Sequence, residues 1–296
     1  MLRARSLVLS PPLAGFAVLF AAAEAVKFLR GDALWGTIDL VLAVLLAFVC
    51  ALTRWFTRDD ASPGPVTRGR ALPLQLLACA VVLAATGLGP LVTYHDVPSW
   101  LHVPLWDSAR RAIFDAAARF APLPIANGIA NFSAYCLPIG AVLLVLGVPL
   151  GQQGLGKFRK GSVASAVAWL ALPLGVFAYA WFAGRASPIS IAYAWLSNFL
   201  QNGVSEEFLW RGAVLGRLRA VMKPEYAIFV QALLFGAWHA GADLNAYHGD
   251  ALNAAADMVA SQATFGLAAA YVTLRTGNIA IASAFHLLFD SMQILQ

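Results

Sequence analysis

The stretch NGVSEEFLWRGAVLG, from Asn202 to Gly216, places two adjacent glutamates and an arginine inside an otherwise apolar segment. In an α-helix, Glu207 and Arg211 are four residues apart and share a face, whereas Glu206 points about 100° away from Glu207. Apolar residues on every other side indicate a helix that is buried in protein or lipid. The stretch therefore predicts a buried helix in which Arg211 neutralises one glutamate while the other faces a different neighbour.

The composition around this stretch is that of an integral membrane protein. Of the 296 residues, 60% are hydrophobic and only 12% are charged, and the mean hydropathy is +0.72. Soluble domains usually carry about 25% charged residues. Because lipid offers no hydrogen-bond partner to an open backbone, segments that span it are expected to be helices. The sequence thus predicts an all-α, polytopic membrane helix bundle.

Nine apolar segments are candidate spans, and because a span needs about 20 residues and several are shorter, we expect eight or nine transmembrane helices. The segments are residues 13–29, 34–52, 72–92, 132–149, 163–183, 190–210, 226–241, 256–274 and 277–294. With the N-terminus inside, 14 Lys and Arg residues fall on the cytoplasmic side and 6 on the outer side. This bias predicts a cytoplasmic N-terminus and an outer C-terminus, in what we expect to be a bacterial inner membrane.

The chain divides into three segments by composition. Residues 1–70 hold a helix pair and a Pro- and Gly-rich linker, residues 71–160 hold further spans, and residues 161–296 hold most of the ionisable groups within spans. Residues 97–124 are amphipathic and predict a helix that lies in the membrane interface. In that helix we expect the basic residues to face water and the large apolar ones to face lipid: Arg110, Arg111 and Arg119 on one side, and Trp100, Trp106, Ile113, Phe114 and Phe120 on the other.

The cysteines and the basic charge indicate no separate function. Cys50, Cys79 and Cys136 lie in apolar runs without CxxC spacing, and their odd number excludes a full disulfide set, so we expect small core residues. A net charge of +5 would suggest nucleic acid in a soluble protein. In a membrane protein, basic residues mainly set topology. The predicted partner is therefore membrane lipid, not nucleic acid.

Ionisable side chains within spans cost about 2.5–3.5 kcal/mol each on insertion scales, which makes them functional candidates. Glu206 is one such candidate. Two further helices carry i, i+4 pairs: Phe235 with His239 in FGAWH, and His286 with Asp290 in HLLFD. Three helices thus each project a polar group that could converge on one buried site. A buried glutamate suits a general base and a histidine can stabilise an oxyanion. The same set could bind zinc.

Each of these groups also has a purely structural interpretation. Glu207 and Arg211 can form a structural pair, a histidine in a span can form only a helix-to-helix hydrogen bond, and Asp290 can act by orienting His286. Elsewhere, Glu24 and Lys27 are i, i+3 and are expected to pair near the outer edge of the first span. Three further histidines are expected to be solvated in or beside outer loops: His95, His102 and His248.

Three motifs occur in order along the chain: EEFLWR fits E-E-x-x-x-R, FGAWH fits F-x-x-x-H, and HLLFD fits H-x-x-x-(N/D). In this order they resemble the CPBP family of CAAX prenyl-proteases and bacteriocin-processing or self-immunity proteins. The resemblance covers about residues 160–296. It implies a glutamic-type intramembrane endopeptidase without a metal cofactor, acting on a protein or peptide substrate in the membrane. Glu206 would activate water, His239 would assist it, and His286 and Asp290 would form the oxyanion site. Glu207, Arg211 and Phe235 would give structural support. If metal were required, Glu206, His239 and His286 would be the ligands, although the zincin motif HExxH does not occur.

One departure from the family pattern affects the expected chemistry. The last motif often ends in Asn, which can donate a hydrogen bond to an oxyanion, whereas an ionised Asp290 cannot. Asp290 must then be protonated, hold His286 as an imidazolium, or ligate a metal.

Two other functions remain open: a non-catalytic scaffold or immunity factor of the same fold, and a small proton-coupled transporter. Prenylated CAAX tails, leader peptides and sorting-tagged membrane proteins are the candidate substrates. Because Arg211 falls near the cytoplasmic face in the charge pattern, we expect substrate to enter from that side.

Overall fold

The computed structural model of the protein describes residues 10–58, 71–94 and 103–292. In these residues the regular secondary structure is helical, apart from an isolated β-bridge between Leu155 and Asn278. The predicted all-α membrane bundle is therefore confirmed. The α-helices are α1 (Pro11–Leu29), α2 (Ala33–Phe56), α3 (Leu72–Tyr94), α4 (Pro104–Ala117), α5 (Leu123–Tyr135), α6 (Leu137–Val145), α7 (Ser162–Phe182), α8 (Pro188–Asn198), α9 (Ser205–Glu207), α10 (Leu215–Val221), α11 (Pro224–Trp238), α12 (Ala240–Ala246), α13 (Ala251–Asp257), α14 (Thr264–Thr276) and α15 (Ala280–Ser291).

Four helical stretches within the described residues are long and apolar enough to cross a membrane. They are Pro11–Leu29, Ala33–Phe56, Leu123–Val145 and Ser162–Phe182, and the bent pair α11 and α12 would make a fifth. The later helices are divided into shorter pieces, so the count of eight or nine spans stays a prediction.

The fourth predicted span, residues 132–149, is placed differently by the structure. It begins earlier, at Leu123, ends at Val145, and is interrupted at Cys136. Pro138 follows this interruption directly, in the first turn of α6. Proline has no backbone N–H and its ring crowds the preceding turn, so a break just before it is expected.

Wider helical turns interrupt the region that holds the opening stretch. Between α8 and α10 the backbone forms two π segments, Phe199–Gly203 and Phe208–Val214, on either side of α9. A π turn holds one more residue than an α turn and is common at functional sites. Each segment contains a glycine, Gly203 or Gly212, at which another part of the backbone approaches closely. A Cβ on Gly212 would lie 2.5 Å from the carbonyl oxygen of Gln153, so only glycine fits there without a shift.

The chain forms two compact units. The first contains the described residues of Met1–Ala51, Ala61–Val103 and Val214–Tyr271, and the second those of Leu52–Asp60, Pro104–Ala213 and Val272–Gln296. The predicted division at residues 70 and 160 stays a prediction.

In the first unit a buried lysine joins three helices. Lys27 of α1 is fully buried and forms ion pairs with Asp39 of α2 and Asp257 of α13, and Tyr247 donates a hydrogen bond of 3.2 Å to Asp257. The expected pair of Glu24 with Lys27 is therefore wrong, because two aspartates from other helices engage the ammonium group. Both carboxylate oxygens of Glu24 are buried and accept no hydrogen bond in the structure.

In the second unit α4 is tied to α5 by an arginine. The Arg110 guanidinium donates to Asn127 Oδ1 at 2.5 Å and to Asn131 Oδ1 at 2.7 Å, and Asn131 Nδ2 donates to the carbonyl oxygen of Gln201 at 3.4 Å. The expectation that Arg110 faces water is therefore wrong, because two asparagines on α5 satisfy its donors. Arg111 and Arg119 are exposed, as predicted. The predicted interfacial residues 97–102 lie outside the described residues.

Packing in the second unit brings the first π segment between two helices. α5 and α15 both pack against Phe199–Gly203, and α15 also packs against α7 and α8. Trp169 of α7 is buried, contacts Phe285 of α15 edge to face, and donates a hydrogen bond of 2.8 Å to Thr53. The π segment and α15 are thereby held close together, with the candidate side chains on both.

Candidate active site

The second unit contains five of the seven side chains that the sequence singles out. Glu206 and Glu207 lie on α9, Arg211 lies on the following π segment, and His286 and Asp290 lie on α15. Phe235 and His239 belong to the first unit.

Glu207 is engaged from two sides. Its side chain is fully buried, and Oε1 accepts a hydrogen bond of 2.8 Å from Arg211 Nη1. The same oxygen lies 2.9 Å from His286 Nδ1. An ionised carboxylate only accepts hydrogen bonds, so this contact places a proton on Nδ1 of His286. Glu207 therefore links Arg211, on its own helix, to His286 on α15.

The other ring nitrogen of His286 faces Asp290. Nε2 lies 3.5 Å from Asp290 Oδ2, and this same oxygen accepts a hydrogen bond of 2.6 Å from Asn202 Nδ2. Both ring nitrogens thus face carboxylate oxygens. An imidazolium satisfies both contacts, because each nitrogen then carries a proton. Arg211, Glu207, His286, Asp290 and Asn202 form one connected polar chain inside the second unit.

Glu206 lies next to this chain on the same short helix. It is buried, with 6% of the residue exposed, and α5 packs against its segment. Ser205 fixes the backbone here, because its hydroxyl donates to the carbonyl oxygen of Leu200, and the thiol of the buried Cys136 lies 3.7 Å from the carbonyl oxygen of Ser205. Glu206 is thus a second buried carboxyl group, distinct from the one that Arg211 neutralises.

In the first unit, His239 lies at a helix bend. α11 and α12 meet there at an angle of 48°. His239 Nδ1 is 2.8 Å from the carbonyl oxygen of Phe235, which can only accept, so Nδ1 carries the proton and Nε2 is the acceptor nitrogen of the neutral ring. The rings of Phe235 and Trp238 contact the imidazole edge to face. The pair predicted by F-x-x-x-H is therefore formed through the backbone of Phe235.

Asn202 is the member of this polar chain that the sequence analysis missed. An amide in an apolar segment costs less than a charge and does not stand out. Its spacing of i, i+4 to Glu206 is the signal that could have found it, because the two residues would share a face of a regular helix. The contact with Asp290 joins positions 88 residues apart in the chain, which no local pattern reveals.

Metal dependence stays a prediction, with Glu206, His239 and His286 as the expected ligands. Throughout residues 10–58, 71–94 and 103–292, no group of three or more His, Cys, Asp or Glu side chains is arranged to hold an ion.

Residues 188–292 match the family model described as type II CAAX prenyl endopeptidase, Rce1-like. No curated protein and no solved structure gave a significant match. The matched segment begins at α8 and ends just after α15, so it includes all seven side chains discussed above. The family resemblance that the three motifs indicated is confirmed, and the matched family is one of CAAX-type intramembrane endopeptidases, which are hydrolases.

Proposed function

We propose that this protein hydrolyses a peptide bond of a membrane-borne protein with a water molecule that Glu206 activates. The observation that carries the proposal is a pair of adjacent buried glutamates, Glu206 and Glu207, with different surroundings. Glu207 forms an ion pair with Arg211 and lies against His286, whereas Glu206, the residue before it, is a second buried carboxyl group. A buried carboxylate is a stronger base than an exposed one, because burial disfavours its charge.

In the proposed reaction Glu206 accepts a proton from water while the water oxygen bonds to the scissile carbonyl carbon. The carbonyl electron pair moves onto its oxygen, which becomes an oxyanion. Glu206 then delivers the proton to the leaving nitrogen as the C–N bond breaks. The family resemblance assigns His239 to assist the water, and in this chain its Nδ1 proton is directed to the carbonyl oxygen of Phe235.

The imidazolium of His286 would stabilise the oxyanion electrostatically. Its charge and that of Arg211 balance those of Glu207 and Asp290, so the polar chain is formally neutral. A preorganised positive group in a site that excludes water stabilises a developing negative charge strongly. Asp290 would hold the imidazolium form of His286, which accounts for an aspartate where the family pattern often has asparagine.

The test compares wild type with Glu206→Gln, which removes the base and keeps the shape of the side chain. New peptide termini would be mapped in membranes of cells that express matched amounts of each protein. Purified protein would also be assayed on a farnesylated peptide with a CAAX C-terminus and on the same peptide without the prenyl group. Loss of a general base lowers kcat by about 100-fold to 10,000-fold. Glu225→Gln, the same change at the start of α11, is the matched control and should retain wild-type activity.

The outcomes separate this proposal from its alternatives. Termini that appear with wild type and Glu225→Gln but not with Glu206→Gln support hydrolysis and name the substrate. Identical termini from all three folded proteins would exclude it. An effect on the cell that survives Glu206→Gln would favour a scaffold or immunity factor, and Glu206-dependent proton flux into liposomes would favour a transporter.

A chelator arm addresses the mechanism. The proposed glutamate chemistry predicts that EDTA or 1,10-phenanthroline leaves kcat unchanged for a peptide that the wild-type protein cleaves. Loss of activity that added zinc restores would instead favour the metal-dependent alternative, with Glu206, His239 and His286 as ligands.

A further inference from the structure

Two N–H donors converge on one oxygen atom in the second unit. Asn202 Nδ2 lies 2.6 Å and His286 Nε2 lies 3.5 Å from the same atom, Asp290 Oδ2. The donors come from different helices, the first π segment and α15. Convergent N–H donors are what an oxyanion site requires. Position 290, however, presents a carboxylate to them and cannot itself donate.

We infer that Asn202 is a catalytic residue, which supplies the amide donor of the oxyanion site, and that Asp290 orients it. The inference rests on the proposed function. An amide nitrogen carries two protons, and the bond to Asp290 uses one of them. The second N–H is directed about 120° away in the plane of the amide group and is available to a substrate oxyanion. The family pattern often has this donor, an asparagine, at the position of Asp290. In this chain the asparagine lies instead at position 202, on the π segment that packs against α15.

The backbone around Gly203 holds the amide group of Asn202 close to α15, as a role in the oxyanion site requires. A Cβ on Gly203 would lie 3.0 Å from both Leu287 Cβ and the carbonyl oxygen of Ser283, so the glycine permits a close approach of α15 to the π segment. Asn202 is the neighbour of this glycine, and Asp290 lies one helical turn after Leu287. The side chain of Asn202 is thereby held across the contact between the two segments.

The role also accounts for the charge at position 290. A carboxylate accepts the Asn202 N–H and the His286 N–H at once, and its negative charge favours the imidazolium. An amide at 290 could accept only through its oxygen and would carry no charge. Asp290 thus fixes one donor by a hydrogen bond and the other by an ion-pair contact.

The test exchanges the amide and the carboxylate. Asn202→Asp removes the donor, and kcat should fall by about 100-fold to 1,000-fold with little change in KM, as for loss of one oxyanion donor. Asn202→Asp combined with Asp290→Asn restores one amide and one carboxylate with their positions exchanged. The double variant should recover kcat at least about 10-fold over Asn202→Asp, in line with the coupling of contacting residues. The assay uses a synthetic peptide that spans a Glu206-dependent cleavage site.

Asn198→Asp is the matched control. Asn198 lies one turn earlier, donates to the carbonyl oxygen of Ala194 at 3.1 Å, and lies 3.2 Å from Ser291 Oγ on α15. A purely structural role for Asn202 predicts that both single variants lose stability alike and retain kcat. The catalytic role predicts that only Asn202→Asp loses kcat.

Two results would overturn the inference. One is a wild-type kcat for folded Asn202→Asp while Glu206→Gln is inactive, and the other is a double variant that recovers nothing. If no cleavage depends on Glu206, the proposed function itself fails and the inference falls with it.

Discussion

Burial, rather than sequence position, distinguishes the charged residues of the opening stretch. Glu207 and Arg211 pair at i, i+4 with both side chains inaccessible to solvent, and His286 shares the same carboxylate oxygen. Arg111 and Asp115 pair at the same spacing on α4, but 76% and 56% of their side chains are exposed. The two pairs are therefore expected to contribute very differently to the free energy of unfolding, although their spacing is the same.

Arg211→Met should lower the free energy of unfolding by about 3–5 kcal/mol, because it leaves Glu207 charged and buried without its partner. Arg111→Met should change it by no more than about 0.5 kcal/mol, since an exposed pair is screened by water. Titration of the purified proteins from mild detergent into SDS, followed by loss of helical signal, would measure both. Equal losses for the two variants would contradict this assignment of Glu207 and Arg211 as a structural pair.

At the residue scale, the sequence analysis singled out the charged members of the polar chain and missed the neutral one, Asn202. Glu207 with Arg211 and His286 with Asp290 are in contact because i, i+4 spacing is a local property, whereas the contact of Glu207 with His286 joins residues 79 positions apart. The link from Asp290 to Asn202 depends on how two distant segments pack, and nothing in either segment specifies that contact alone. Arg110 was assigned to water for the same reason, since its asparagine partners lie on the next helix.

At the scale of elements, the π segments and the glycines within them bring the site together. Helices were predicted correctly in type because the apolar runs are long and lipid allows no other spanning backbone in this composition. Their interruptions were not predicted, because a π turn has no reliable composition signal. The break before α6 is an exception, since Pro138 marks it in the sequence.

Gly203→Ala should push α15 away from the first π segment, because its Cβ would lie only 3.0 Å from Leu287 Cβ and from a backbone carbonyl oxygen. We expect the free energy of unfolding to fall by about 1–3 kcal/mol, as for overpacking elsewhere. We also expect kcat to fall, since the contact between Asn202 and Asp290 would lengthen.

Gly175→Ala in α7 is the comparison, because a Cβ there meets no atom within 4 Å. It should be neutral or stabilising by up to about 1 kcal/mol, from helix propensity. The same unfolding and kinetic measurements apply to both variants. Retained kcat in Gly203→Ala would show that the close approach of α15 is not needed for activity.

At the scale of the whole molecule, the membrane topology remains to be measured. The bias of 14 basic residues against 6 predicts a cytoplasmic N-terminus, and nine spans would then place the C-terminus outside. Fusions of alkaline phosphatase and of green fluorescent protein to the C-terminus should accordingly give phosphatase activity without fluorescence. Fluorescence without phosphatase activity would contradict the combination of a cytoplasmic N-terminus with nine spans.

The ion pairs of the fully buried Lys27 form in a fixed order as the protein is synthesised. Its ammonium group is shared by Asp39, which follows in the next helix, and by Asp257, which lies 230 residues further along the chain. At about 5–20 residues per second, a ribosome needs tens of seconds to bridge that distance. The first two helices therefore enter the bilayer with a lysine that has received only one of its two carboxylates. A nascent chain that ends before Asp257 would therefore carry Lys27 with Asp39 as its one aspartate partner.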